Sequence, residues 1–542
     1  MDPKDDMAGA DILIRDGKIL AIGKHLGGGD KVVDCSTLIA VPGFVTTHHH
    51  KYETPQRSAN ADGYIVFGGP GGFAGPADPE QQRAQWPYES YSNMQSLWNQ
   101  GRMTDINGNV WDIGKPTQEP EDLYLAHLVA SLAELKSGIT CATDTSQSSH
   151  TPAHTDAMIK GLVDSGQRNL FAYTGGINRA GTGNATNPNG YEFPGSISDD
   201  SWGVGRLRKE WFSSDDQLVT LCVQTNNAPV TNVQTGATES YTGWELAKHY
   251  GAWINSHNIA NTAFLNDPLI DDPEIGPRMT QIHCVRWGDP NAPDAHIGTF
   301  GQGWPNPGAV DAWKKAADKG VHVSIAVSIE MQMRHGRPPI QECLNVGIMP
   351  SLSPDVDCNK NGADPFSLMR SYFDMQRLMS SELAFPVSDP GGLLAPQSVT
   401  CYDTLQVATM AGAAGSGLAG KVGMLKPGYE ADIVLLETND IRIAPANNAP
   451  GTVVTMMDTS NVRHVMVQGE FKVWNYEVVG WNMEKLIRDI KRSRENIIDR
   501  INSVPLAMAG KNTPVNPYRP PFLTSCCFNG QNELAPLYTL RP

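Results

Sequence analysis

The chain is poor in cysteine and uses it without pattern. Its nine cysteines in 542 residues stand singly, except for Cys526-Cys527, and no Cys-x-x-Cys pair occurs. Neither a disulfide framework nor a thiolate zinc site is supported. Basic residues are short as well: 42 Lys and Arg against 58 Asp and Glu leave a net charge of −16. That balance argues against a basic face for nucleic acid and against charge-held binding to anionic lipid. No run approaches the eighteen or so apolar residues of a membrane span. Met1-Asp-Pro-Lys-Asp-Asp also lacks the apolar stretch of a signal peptide. These absences predict a cytoplasmic protein with reduced thiols and no nucleic-acid or membrane partner. What is present is bulk. A 40% hydrophobic and 18% charged composition can bury a large core. The length suits roughly three to four domain-sized units, or one large barrel with attachments.

Residues 11–23 read as two short strands around an Asp-Gly turn, and Val32–Asp34 and Leu38–Val41 extend the β pattern to Pro42-Gly43. The same style returns at Ala431–Leu436 and at Val462–Trp474, with Gln468-Gly469 as the turn. Two β-rich ends around a long middle predict one small β-sandwich built from residues 1–42 and 421–478. Between them, over 43–420, apolar runs alternate with helical patterns. The runs are Val219–Val223, Trp253–Asn255, Met279–Ile282, Val321–Val327 and Ile348–Leu352, and the helices include Asp122–Lys136, Val310–Lys319 and Pro338–Asn345. Such alternation predicts an α/β fold with a parallel (β/α)₈ barrel. Residues 58–120, with a Gly-rich run at 68–76 and several aromatics, read as an ordered insertion. Residues 479–542 read as an amphipathic helix (481–503) and a Pro-rich tail.

The strongest chemical signal is Val41-Pro-Gly-Phe-Val-Thr-Thr-His-His-His50. Side chains alternate along a strand, so His48 and His50 point one way and His49 the other. Two imidazoles at i and i+2 make a bidentate seat for a metal. Alone, three histidines after a strand would read first as a solvated loop. Here they have company: Ile254-Asn-Ser-His257, Met279-Thr-Gln-Ile-His283 and Gly347–Asp355 each run from an apolar stretch into a histidine or an aspartate. Barrel chemistry sits at the C-terminal ends of strands, which is where these residues fall.

Pro42–His50 resembles the first-strand His-x-His signature of the amidohydrolase superfamily, and Leu425-Lys-Pro-Gly-Tyr-Glu-Ala-Asp432 resembles its return into the β domain. The likeness spans about residues 11–475 and is nearest the cytosine deaminase, guanine deaminase and triazine chlorohydrolase branch. It implies one divalent metal, zinc first and iron second, on His48, His50, His257 and Asp355. It also implies His283 beside the metal-bound water as the polarising residue, Asp355 as the proton relay, and a homodimer. Two-metal relatives carry a bridging lysine on the fourth barrel strand; Leu218–Thr225 has none.

One departure matters for the reaction. Deaminases of this branch carry a proton-shuttling glutamate three residues after the fifth-strand histidine, where this chain has Ala260. Glu53, three residues after His50, is either a site carboxylate or a partner of Arg57. Glu330 and His335, in Ser328–Gly336, are either pocket residues or, for Glu330, partners of Arg334 or Arg337. His150 and His154 read as solvated or capping residues, and Cys284 and Cys358 as packing. Tyr64, Phe67 and Phe73 form either a hydrophobic lid over the site or a surface that packs elsewhere. The expected activity is hydrolysis by metal-bound hydroxide at an sp² carbon of a non-peptide C–N bond in a small molecule. The alternatives are a lyase such as a dehydratase on the same scaffold, acting on a small aromatic or secondary-metabolite substrate, and a non-catalytic scaffold.

Overall fold

The computed structural model describes residues 7–61, 91–104, 110–174, 176–177, 191–192, 203–226, 230–231, 238–239, 242–258, 262–285, 287, 309–333, 335–384 and 399–503. Eight parallel strands form its centre: β4 (Phe44–His49), β5 (Ile139–Ser146), β6 (Arg168–Tyr173), β7 (Val219–Asn226), β8 (Trp253–Asn258), β9 (Met279–His283), β10 (His322–Ile325) and β11 (Ser351–Leu352). They pair in chain order, each with the next. The sheet curls until its two ends meet. A parallel bridge joins His49 to Asp355, the His50 N–H donates to the Asp355 carbonyl at 2.7 Å, and the Asp355 N–H donates to the His48 carbonyl at 3.3 Å. Thr47 Oγ1 adds contacts of 2.7 Å to both Ser324 Oγ and Ser351 Oγ.

The chain ends make the small β unit. Strands β1 (Asp11–Arg15) and β2 (Lys18–Gly23) form a hairpin whose Asp16 and Gly17 take positive φ. Strand β3 (Leu38–Pro42) joins β12 (Ile433–Glu437), β13 (Val462–Val467), β14 (Glu470–Trp474) and β15 (Glu477–Val478) in an antiparallel sheet. Ile12, Ile14, Ile19 and Ile22 of the hairpin pack on Ile433 and Leu435 of that sheet. Arg168 ties the unit to the barrel through Asp432, at 2.9 Å.

Three expected strands differ. Val32–Asp34 is not a strand, and Val32 stands 85% exposed. The Val321–Val327 run ends as a strand at Ile325, and Val327 opens a short helix, α2 (Val327–Gln332). Of Ile348–Leu352 only Ser351–Leu352 pairs, because Pro350 and Pro354 bracket it and lack N–H donors.

Helix α1 (Pro120–Lys136) begins with proline at its first position, and the Asp122 carboxylate accepts the Glu119 N–H at 3.0 Å. The amphipathic helix near the end, α3 (Met483–Asn502), lies against it. Ser493 Oγ and Arg500 Nη1 both donate to Asp122, at 2.6 and 2.5 Å. The buried face of α3, Ile497 and Ile501, shares a core with Met94, Leu97 and Trp98 of the insertion and with Ile329, Met333, Val356 and Cys358. That second core lies beside the residues that follow β4, β10 and β11, at the C-terminal end of the barrel.

Candidate metal centre

Strand β4 is buried along its whole length, and its last residues divide as the alternation demands. The His48 and His50 rings meet at 4.6 Å between centroids, and His257, from the end of β8, lies 4.6 Å from His48 and 5.3 Å from His50. Asp355 arrives across the closing seam of the barrel. Its Oδ1 is 3.0 Å from His48 Nε2 and 3.4 Å from His50 Nε2. Ligand atoms of His48, His50, His257 and Asp355 all lie within 4.8 Å of one another. The backbone is strained where the site is made: His283, Cys284 and Asp355 have φ of 72°, 54° and 65°, a region non-glycine residues seldom enter.

The electrostatics suit a cation. Burial pushes the His48 imidazole down to about 3, against the pull of Asp355. Burial and the neighbouring imidazoles of His48 and His50 likewise hold His257 well below its ordinary value. Burial opposes ionisation of Asp355, yet His283 and His48 keep its carboxyl well below the carboxylate range. The four donors are three imidazoles and one carboxylate, a borderline-soft set suited to zinc or iron(II). The ring nitrogens not facing Asp355 are held too: His48 Nδ1 lies 2.7 Å from Thr145 Oγ1, and His257 Nδ1 lies 2.9 Å from the Gln224 side-chain amide. Such outer contacts fix the ring orientation of a metal ligand.

His49 faces the opposite way, into helix α1. Its Nδ1 is 2.8 Å from Glu134 and its Nε2 3.5 Å from Asp357. Burial alone would depress it; the two carboxylates overcome burial and lift it to about 10. Lys51 completes this buried group, 2.8 Å from Glu134, and also donates to Ser131, Gln167 and Asn169. Glu134, Lys51, Gln224 and Thr145 had no signal in the sequence beyond their type. Their roles depend on contacts 33–118 residues away along the chain.

His283 ends β9 within the same cluster, 5.6 Å from the His48 ring and 5.8 Å from the His257 ring. Its Nε2 stands 3.6 Å from Asp355 Oδ2, and its Nδ1 stands 3.1 Å from Glu330 Oε1. Glu330, fully buried on α2, also accepts the Ala326 N–H at 2.9 Å. It thus backs His283. The His335 ring packs edge-on against His283 at 4.8 Å. Glu53 is buried next to the site and accepts the Tyr91 hydroxyl at 2.7 Å, while Arg57 pairs instead with Asp357 at 3.2 Å. Burial raises the Glu53 carboxyl to about 8. His150 and His154 are buried, not solvated: His150 meets Asn99 of the insertion at 2.8 Å, and His154 meets the Gln118 carbonyl at 3.2 Å. Cys284 and Cys358 are both buried in apolar clusters. Tyr64, Phe67, Phe73 and Ala260 lie outside the described residues.

A family model described as the Amidohydrolase family matches residues 299–473. The chain is 22% identical over 524 residues to the 5'-deoxyadenosine deaminase of Methanosarcina barkeri, covering 93% of this chain and 97% of the relative. Together these matches make the chain similar to the amidohydrolase family over most of its length. Its fold matches other solved structures at low identity. An adenosine deaminase from Xanthomonas campestris with bound zinc superposes with a TM-score of 0.60 at 16% identity, over 92% of this chain and 94% of that one. Atrazine chlorohydrolase from Arthrobacter aurescens, complexed with zinc, gives 0.61 at 18% identity, over 90% and 95%. The chain thus shares its fold with these solved structures.

Proposed function

We propose that the chain is a metal-dependent hydrolase of a C–N bond outside peptides, in a cyclic amidine, an amide or, foremost, an aminated heteroaromatic ring. The observation that carries this reading is the convergence of His48 and His50 on one oxygen of Asp355, with His257 in the same cluster, while His283 faces the other oxygen. We assign one divalent cation, zinc before iron, to His48, His50, His257 and Asp355. When bound, it supplies the Lewis acidity that brings the pKa of water from about 15.7 to roughly 7. The side chains do the rest. Glu330 holds His283 so that Nε2 faces the reacting carbon's substituent and polarises it. Asp355 Oδ2 takes a proton and passes it to the departing nitrogen. Glu53, whose carboxyl burial favours in its neutral form, donates a hydrogen bond to a ring acceptor. The family resemblance, rather than any contact within this chain, supports a homodimer.

The 5'-deoxyadenosine deaminase relative makes aminated purine nucleosides the first compounds to try. Release of ammonia from such nucleosides, or from amides and cyclic amidines, by the metal-loaded chain is the test. Elimination without ammonia would instead support the lyase alternative. A narrower expectation follows from Ala260. Cytosine and guanine should turn over weakly or not at all, because the carboxylate that serves the ring nitrogen is missing there. Efficient ammonia release from either base, measured by a coupled assay, would show that another group, Glu53 foremost, has taken over that proton.

A further inference from the structure

Beside the four-donor centre lies a second group. His283, His335 and Asp355 each offer a ligand atom, all three buried and all within 4.8 Å of one another. The spacing is suited to coordination. Two donors bound to one zinc at about 2.0–2.1 Å in a tetrahedron sit roughly 3.3–3.4 Å apart. His283 Nε2 and Asp355 Oδ2 are 3.6 Å apart, so a few tenths of an ångström of closure suffice. The two oxygens of Asp355 are also divided in use: Oδ1 faces His48 and His50, and Oδ2 faces His283.

Orientation supports the same conclusion. Glu330 Oε1 is anchored by the Ala326 N–H and accepts the Nδ1–H of His283. His283 Nε2 then faces Asp355 Oδ2 across 3.6 Å, a gap that either a proton on the imidazole or a bound cation fills. A histidine that donates one ring N–H to a carboxylate and presents the other nitrogen is the usual arrangement of a metal ligand. His335 is carried to the same place by the end of α2, its backbone N–H donating to the Glu330 carbonyl at 2.9 Å.

We propose that His283, His335 and Oδ2 of Asp355 form a second divalent-cation site, weaker than the four-donor centre and bridged to it by Asp355. It is weaker because it has three protein donors instead of four and shares a carboxylate with the first cation. A cation there occupies His283 Nε2, so excess zinc inhibits the reaction that the first zinc supports. That inhibition rests on the function proposed above; the binding does not.

The test is a zinc titration of the full chain already holding one equivalent, followed by calorimetry and by counting bound zinc. Wild-type protein should take a second equivalent at least 10-fold more weakly than the first. His335→Ala and His335→Gln should stop at one equivalent, and the retained first equivalent reports that each variant has folded. Glu330→Ala should weaken the second equivalent by about 10–100-fold, the range for loss of an outer-shell partner. Saturation of the wild type at one equivalent overturns the proposal. So does a second equivalent that persists in both His335 variants, or loss of both equivalents in both. A chain that binds two ions and hydrolyses nothing overturns the proposed function and leaves the second site standing.

Discussion

His48→Ala and His257→Ala protein is expected to lose its cation and its activity together. Each substitution removes one of four donors from a buried cluster in which their ligand atoms lie within 4.8 Å. Loss of a mere outer-shell partner costs about 10–100-fold in metal affinity, so loss of a donor should exceed that. Bound zinc, measured after desalting, should fall well below one equivalent, and ammonia release should fall to background. The same end is expected from exhaustive chelation of the wild type, with recovery on adding zinc back. Full activity in a chelated, metal-free sample would remove the cation from the reaction altogether.

His283→Asn is expected to behave differently. If His283 contacts the reacting atoms rather than the first cation, the variant keeps the first equivalent of zinc and loses turnover. Contacts made in the transition state are typically worth about 2.7–4 kcal/mol, or 10²–10³ in kcat. The measurement is a pair: zinc content of the purified variant, and kcat on whichever substrate the screen identifies. A variant that loses the first equivalent along with activity would place His283 among the donors of that ion. The two experiments together separate holding the cation from using it.

Much of this site was legible because strand geometry constrains it. His48, His50, His257, His283 and Asp355 each followed an apolar run, and alternation along β4 separated His49 from its neighbours. The outer contacts were not legible. Glu330 had nearby arginines as obvious partners, yet it holds His283, 47 residues earlier. Nothing local marks a helical glutamate such as Glu134 as fully buried; only the approach of His49 and Lys51 makes it so. His150 and His154 read as polar surface because the segment that covers them has no periodic pattern. Asn99 and Gln118 bury them from outside the stretch in which they lie. Strand ends failed where proline or a long-range contact intervened. Pro350 and Pro354 shorten β11, and the capping of Ala326 by Glu330 turns the end of an apolar run into a helix.

The short β11 has a consequence for how the barrel breathes. The sheet closes between β4 and a strand of two residues, through the Thr47 hydroxyl contacts and the backbone exchange of His48, His50 and Asp355. Three of the four proposed donors straddle that closure, His48 and His50 on one side and Asp355 on the other. A cation shared among them would therefore act as a rivet across the closing seam of the barrel. At a free concentration 1,000 times its Kd, a bound ion adds about 4.1 kcal/mol to the folded state, and here that energy is localised. Without it, opening should begin at the join rather than spread evenly through the barrel. Amide hydrogen exchange can see this: the His50 and Asp355 N–H groups should lose protection on metal removal before those of β5 to β9. Their protection should return when the ion does, which makes the centre as much a fastener of the fold as a place for chemistry.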